Sequence, residues 1–240
     1  MSNTSLANGY VLTTDQTNEL LANLSLGDVS FSSTTGEGSV DWIYSATNAQ
    51  IDFLGENDSV ELTFTVQIAD GNGGTDTQDV VITINGTNDA PIIDSAAQAG
   101  TITETADTNP DLAPADADGT ITFDDVDLSD NPTASITSSS VSNTSLANGY
   151  VLTTDQTNEL LANLSLGDVR LSSTTGEASL DRINSASNAQ IDFLGEDDSV
   201  ELAFTVLSAD GNGGTDTQDG VIAIDGTDDA PIIDSAAQAG

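Results

Sequence analysis

The sequence predicts an all-β protein, a β-sandwich repeated in tandem, and three observations carry the prediction. Apolar residues alternate with polar ones at period two over runs of strand length. Turns rich in glycine, asparagine and aspartate separate those runs, and helical spacing is almost absent. Residues 1–100 return at 141–240 without a gap, about 84 of the 100 positions being identical. A repeat this much longer than the roughly 20–50 residues of a solenoid unit marks a whole domain in an array.

In the first copy, residues 9–14 read as a short strand after the Asn8-Gly9 turn, and Thr14 or Asp15 as the cap of a brief helical turn over 19–24. Val40, Trp42 and Tyr44 alternate with Asp41 and Ile43, which predicts a strand with its aromatic face inward, and a turn follows at 48–52. The clearest strand is 60–68, with Val60, Leu62, Phe64, Val66 and Ile68 on one face. A hairpin through 70–74 returns into Val80, Ile82 and Ile84. Residues 91–140 have only a partial duplicate; within them 100–104 and 120–123 read as strands on either side of a proline- and aspartate-rich loop, 109–119.

The second copy differs from the first where the pattern places the core. Trp42, Tyr44, Ile68 and Val80 become Arg182, Asn184, Ser208 and Gly220. Removing large apolar groups from a core costs about 2–5 kcal/mol each, so a looser second copy is expected. The turns become more acidic instead, as Asn57, Asn85 and Asn88 give way to Asp197, Asp225 and Asp228.

Charge bounds the function. The 240 residues hold 40 Asp and Glu against two basic side chains, Arg170 and Arg182, with no histidine, for a net charge of -38. Nucleic acid and anionic lipid are bound by Lys and Arg, so nucleic-acid binding is close to excluded, and no stretch has the length and apolarity of a membrane span. Self-repulsion on this scale leaves three readings: a disordered acidic chain, a solvated halophile surface, or a set of cation sites. The alternating apolar runs argue against disorder. Without His, Cys or Lys, the usual general bases, thiol nucleophiles and zinc ligands are missing, and no GxSxG or phosphate-binding loop occurs; the 40 acids leave a glycosidase-type carboxylate pair open, but nothing marks a pair as a pocket, and no enzyme is expected.

The acidic turns flank strands in a fixed arrangement. Asp70-Gly71-Asn72-Gly73-Gly74-Thr75-Asp76 opens a strand that closes on Asn85-Gly86-Thr87-Asn88-Asp89-Ala90-Pro91, and the same arrangement returns from Asp210 to Pro231. Carboxylates and amides in turns at both ends of a strand supply the six to eight oxygens that Ca²⁺ takes, although turns favour these residue types on their own account. Asp70, Asn72, Asp76 and Asp79 crowd one hairpin, which is unfavourable without a counter-ion.

Leu54-Gly55-Glu56-Asn57-Asp58, the Ala69-Asp70-Gly71 turn and the 84–91 junction together resemble the end of a cadherin-like domain. More closely, they resemble the VCBS and cadherin-like repeats of large secreted bacterial adhesins of RTX type, over nearly the whole chain. The resemblance implies a cadherin-like or immunoglobulin-like β-sandwich in tandem, with Ca²⁺ held between successive domains. By position, Glu56 and Asp58 match the acidic turn before the penultimate strand, and Asn88 and Asp89 the linker. Glu104 matches the early acidic residue of the following domain. Asp125 and Asp127 match its DxD pair, for which Asp116-Ala117-Asp118 competes. Glu196, Asp198, Asp228 and Asp229 occupy the equivalent places in the second copy. The second linker asparagine and the arginine of the acidic turn are absent.

The expectation is a non-catalytic calcium-binding extender of a bacterial surface or secreted protein, with Ca²⁺ stiffening the domain junctions. Its partners are neighbouring repeats of the same chain, with a cell-surface glycan or like arrays as further candidates. The alternative is a carbohydrate-binding accessory module of a secreted polysaccharide-degrading enzyme. The expected units are a partial repeat at 1–90 lacking its first strands, a complete repeat at 91–230 and the start of another at 231–240. A circular permutation in which 91–140 completes the first copy fits the sequence equally well.

Overall fold

The computed structural model describes residues 3–106 and 115–231, so most of the 231–240 segment and half of the 109–119 loop lie outside the described residues. The first copy contains β1 (Asn3–Ser5), a 3₁₀ turn at Ala7–Gly9, α1 (Thr14–Leu21), β2 (Leu24–Phe31), β3 (Gly38–Tyr44), α2 (Asn48–Ile51), β4 (Ser59–Ala69) and β5 (Thr75–Asn85). The middle stretch adds β6 (Ile92–Ile93), β7 (Gln98–Thr103), β8 (Ala115–Asp116) and β9 (Gly119–Asp124), then runs into β10 (Thr133–Ser145). The second copy continues with α3 (Thr154–Ala162), β11 (Leu164–Leu166), β12 (Arg170–Leu171), β13 (Glu177–Ala186), α4 (Asn188–Ile191), β14 (Ser199–Ala209) and β15 (Thr215–Asp225).

Local chemistry explains the elements and corrects three expectations. The segment before α1 is no strand but a turn and an extended lead-in. The helix cap is Thr13, whose hydroxyl accepts from the Gln16 N–H while the Gln16 side chain reaches back, a capping box. The turn expected at 48–52 winds into α2 through the same device, Thr47 with Gln50. The 70–74 hairpin is as predicted: Ala69 pairs with Thr75, and Gly71 and Gly73 take the positive φ that the tight loop requires.

Two sheets face each other in the second copy. One has the order β10-β14-β15-β7, with β7 parallel to β15; the other has β11-β13-β9-β6, with β12 and β8 also on β13. Ile102 of β7 and Ile121 and Phe123 of β9 are buried in one core with Leu180, Val200, Leu202, Phe204, Ile222 and Ile224. Residues 98–103 and 119–124 therefore pair and pack with the strands of the second copy. Among the described residues, the first copy has β1-β4-β5 and β2-β3, around a smaller core of Leu20, Phe53, Leu54, Val60, Leu62 and Ile84.

That difference reverses the expected burial. Trp42 is 46% and Ile68 56% exposed, because among the described residues no strand covers them, whereas Arg182 and Ser208 at the same positions are fully buried. The inward assignment thus holds in the copy that carries the polar residues. Arg182 Nη1 donates to the Ala117 carbonyl at 2.7 Å, and its guanidinium carbon lies 5.8 Å from the Phe204 ring centroid. Its Nε and Nη2, both side-chain polar atoms of Asn184 and the Ser208 hydroxyl are buried without a hydrogen-bond partner. Burial pulls the Arg182 pKa down, against the nearby Asp118 carboxylate.

Candidate metal centre

The acidic residues converge where the two copies meet. After β9 the chain makes a compact loop through Asp125, Asp127 and Asp130, all at most 5% exposed. One carboxylate oxygen from each lies within 4.8 Å of the others. The loop is fixed from behind, where the Asp125 N–H donates to the Gly176 carbonyl (3.1 Å), and within, where the Asp127 N–H donates to Asp125 Oδ1 (3.1 Å). Leu128 then packs against the first copy's core, and its N–H donates to the Phe53 carbonyl at 3.2 Å.

The linker and the second hairpin close the cluster. The Asp89 N–H donates to Asp127 Oδ2 at 2.7 Å, and Asn88 Nδ2 to Asp210 Oδ2 at 3.0 Å. Asp210 Oδ1 accepts from the N–H groups of Asn212, Gly213 and Gly214 at 2.7–3.1 Å. Asn212 Nδ2 lies 2.9 Å from both oxygens of Asp130. Asp125 Oδ2, Asp127 Oδ1 and Asn88 Oδ1 are buried and accept nothing. Buried acceptors without donors are unfavourable unless a cation serves them.

The electrostatics agree with this geometry. Burial pushes Asp125 up to about 6 and Asp127 up to about 7, and neighbouring carboxylates, Asp89 and Asp130 among them, add to both. Asp130 is raised by burial too, against its bond from Asn212. For Asp210, burial is the largest influence and raises the pKa, but the bonds from Asn88 and the hairpin N–H groups together outweigh it and hold the carboxyl low.

The remaining predicted residues fall elsewhere. Glu56 is exposed beside the joint and adds repulsion at Asp130. Asp58 is 2% exposed with both oxygens engaged: Oδ1 accepts from Ala7 N–H (2.7 Å), Oδ2 from Gly55 N–H (3.2 Å) and the Ser129 hydroxyl (2.6 Å). Asp198 repeats the first two bonds, from Ala147 and Gly195. Asp70 sits at the tip of an uncovered hairpin, its carboxyl held low by N–H groups of Asn72 and Gly74. Glu104 lies away from Asn88 and Asp89, grouped instead with Asp192 and Asp229 within 4.8 Å. Its Oε2 accepts from Thr227, and its Oε1 is buried without a partner. Glu196 and Asp228 are exposed.

Sequence reasoning missed Asp130, Ser129, Asn212 and Asp192. Asp130 was the most accessible of these, since it continues the acidic spacing of Asp125 and Asp127 before Asn131-Pro132.

No protein-family model matches the sequence, and no curated protein matches it significantly. Solved structures align at low identity. Cadherin-like domains 1 to 4 of zebrafish RET align at 10% identity and a TM-score of 0.36, over 86% of this chain and 42% of that one. Domains EC1–3 of mouse clustered PcdhgC3 align at 14% and 0.34, over 87% and 56%, and EC1–3 of protocadherin gamma C5 at 15% and 0.33, over 87% and 57%. The chain thus spans less than two thirds of each, and a likeness at these scores assigns no ligand.

Proposed function

We propose that this chain is a non-catalytic structural repeat of an extracellular protein, in which Ca²⁺ at the joint between the copies fixes their relative orientation. The observation that carries this reading is the group of buried, partnerless oxygens on Asp125, Asp127 and Asn88 beside the Asp130 carboxylate. All-oxygen donors from carboxylate and amide suit a hard cation, and Ca²⁺ tolerates the irregular geometry that a loop and a linker provide. Asp89, whose N–H binds Asp127 and whose charge raises both carboxylates, would add a further oxygen donor. Glu104, Asp192 and Asp229 would hold a cation at the opposite end of the second copy, with residues 91–230 as the complete unit and 1–90 as a partial one. The resemblance of the glycine turn and of the 84–91 junction to VCBS repeats supports a secreted bacterial adhesin as the setting.

Thermal melting in EDTA against millimolar Ca²⁺ tests the reading. Extracellular calcium modules bind at about 10⁻⁴–10⁻³ M, and ligand at ten times Kd stabilises by about 1.4 kcal/mol. A midpoint that rises with Ca²⁺, and no longer rises in Asp127→Asn, is expected. An unchanged midpoint removes the proposal.

A further inference from the structure

The loop that carries Asp125, Asp127 and Asp130 is gripped from both copies by side-chain amides. On the first-copy side, Asn8 Nδ2 donates to the Ser129 carbonyl at 2.7 Å. On the second-copy side, Asn212 Nδ2 lies 2.9 Å from each Asp130 oxygen. Ser129 and Asp130 are buried, whereas Asn8 and Asn212 are exposed to water. Each of these asparagines precedes a glycine, Gly9 or Gly213, at positive φ. Asn-Gly pairs occur in the chain at Asn8, Asn72, Asn85, Asn148 and Asn212, and among the described residues Asn8 and Asn212 are the two whose side chains donate to this loop.

We propose that Asn8 and Asn212 are modification sites, at which hydrolysis of the side-chain amide opens the joint between the copies. An asparagine before glycine is open to attack by its own backbone, because no Cβ shields the next peptide nitrogen. The reaction needs water alone. The Gly213 nitrogen gives up its proton and bonds to Asn212 Cγ, the Cγ–Nδ2 bond breaks, and Nδ2 leaves as ammonia with that proton. Water then opens the five-membered imide at either carbonyl, leaving aspartate or isoaspartate, and Asn8 with Gly9 follows the same course. At 212 the product sets a carboxylate against Asp130 in place of a donor, and at 8 it sets one against the Ser129 carbonyl. The closed joint slows its own loss. Asp130 holds the leaving amide, and the attacking Gly213 N–H donates to Asp210 Oδ1 at 2.9 Å. Hydrolysis at 212 therefore waits on local opening of these bonds.

Prolonged incubation of the full chain in neutral buffer, followed by peptide mapping for amide-to-acid conversion and for isoaspartate, tests the proposal. Running it in EDTA and again in Ca²⁺ separates the outcome from that of the calcium reading, because the gripping bonds join protein groups. Under both conditions, conversion at 212 should proceed, but at least about tenfold more slowly than in the same chain in urea. Asn8→Asp and Asn212→Asp, which install the product, should melt several degrees below the parent in EDTA. Asn148→Asp is the control, since Asn148 has the left-handed backbone of Asn8, with φ of 55° against 49°, at the equivalent place in the second copy. Its midpoint should fall by clearly less. Equal rates at 212 in the folded and urea-treated chain, no conversion in the folded chain, or protection in Ca²⁺ alone overturns the proposal. So do Asn8→Asp and Asn212→Asp chains that melt no lower than Asn148→Asp.

Discussion

Asn88 Nδ2 and Asp210 Oδ2 lie 3.0 Å apart across the joint, 122 residues from each other in sequence. Asp210 and Asp70 occupy identical loops, yet Asp210 is 4% exposed and Asp70 lies open, because among the described residues the 84–91 linker abuts the second hairpin alone. Asn88→Asp, which installs the residue that the second copy has at 228, puts a carboxylate against Asp210 in place of a donor. Hydrogen bonds to charged groups contribute about 1.5–3 kcal/mol, so a melting midpoint several degrees lower is expected in EDTA. Saturating Ca²⁺ should recover most of the loss. A variant that melts like the parent in EDTA would contradict this account of the joint.

The joint also makes stability depend on pH in a defined direction. Asp125 and Asp127 are raised from an ordinary 3.8 to about 6 and about 7, burial being the main cause. The metal-free folded chain then keeps protons that the unfolded chain releases above about pH 4. Their contribution is full below the ordinary carboxylate range, declines as pH rises, and is gone once pH has passed 7. Each tenfold difference in proton affinity between the folded and unfolded chain corresponds to about 1.4 kcal/mol. Melting in EDTA and high salt should fall from pH 5 to pH 8. With saturating Ca²⁺, which displaces the same protons, the decline should flatten. A metal-free midpoint that climbs over this range would reverse the assignment.

What the sequence made legible was what depends on neighbours in the chain. Period two located β4 and β5, and the glycine turn located their hairpin. The exposure of Trp42 and the burial of Arg182 were not legible, because both depend on β7 and β9, which arrive from elsewhere and cover only one copy. At the site, the Asp125 and Asp127 pair and the Asn88 and Asp89 linker could be matched by motif. That Glu104 belongs with Asp229, 125 positions on, follows from the parallel pairing of β7 with β15, which local pattern does not announce.

Asp58 and Asp127 are equally buried and should respond oppositely to the same substitution. Asp58→Asn breaks a bracket of two N–H groups and one hydroxyl, so it should destabilise by about 1–3 kcal/mol with or without Ca²⁺. Asp127→Asn removes a carboxylate already driven toward its neutral form by burial, so the metal-free chain should be unchanged or more stable while its calcium response is lost. Paired melts in EDTA and Ca²⁺ separate the two. Loss of the calcium response in Asp58→Asn alone would exchange their roles.

Gly176 and Gly36 are equivalent positions with nearly the same φ, +77° and +75°, so any side chain meets the same left-handed backbone at both, a penalty of about 1–2 kcal/mol. A Cβ on Gly36 would face open space, but one on Gly176 would collide with the Asp125 carbonyl oxygen. That contact cannot be relieved by a rotamer, because the obstacle is backbone. The loop must shift, and it carries Asp125 and Asp127 with it. Gly176→Ala should therefore lose roughly 1–3 kcal/mol more than Gly36→Ala, as overpacking against a fixed wall does, and should weaken Ca²⁺ binding, which Gly36→Ala should leave intact. Calorimetric titration of both variants beside their melts checks this, and equal calcium affinities in the two would mean that the β9 loop does not position the site.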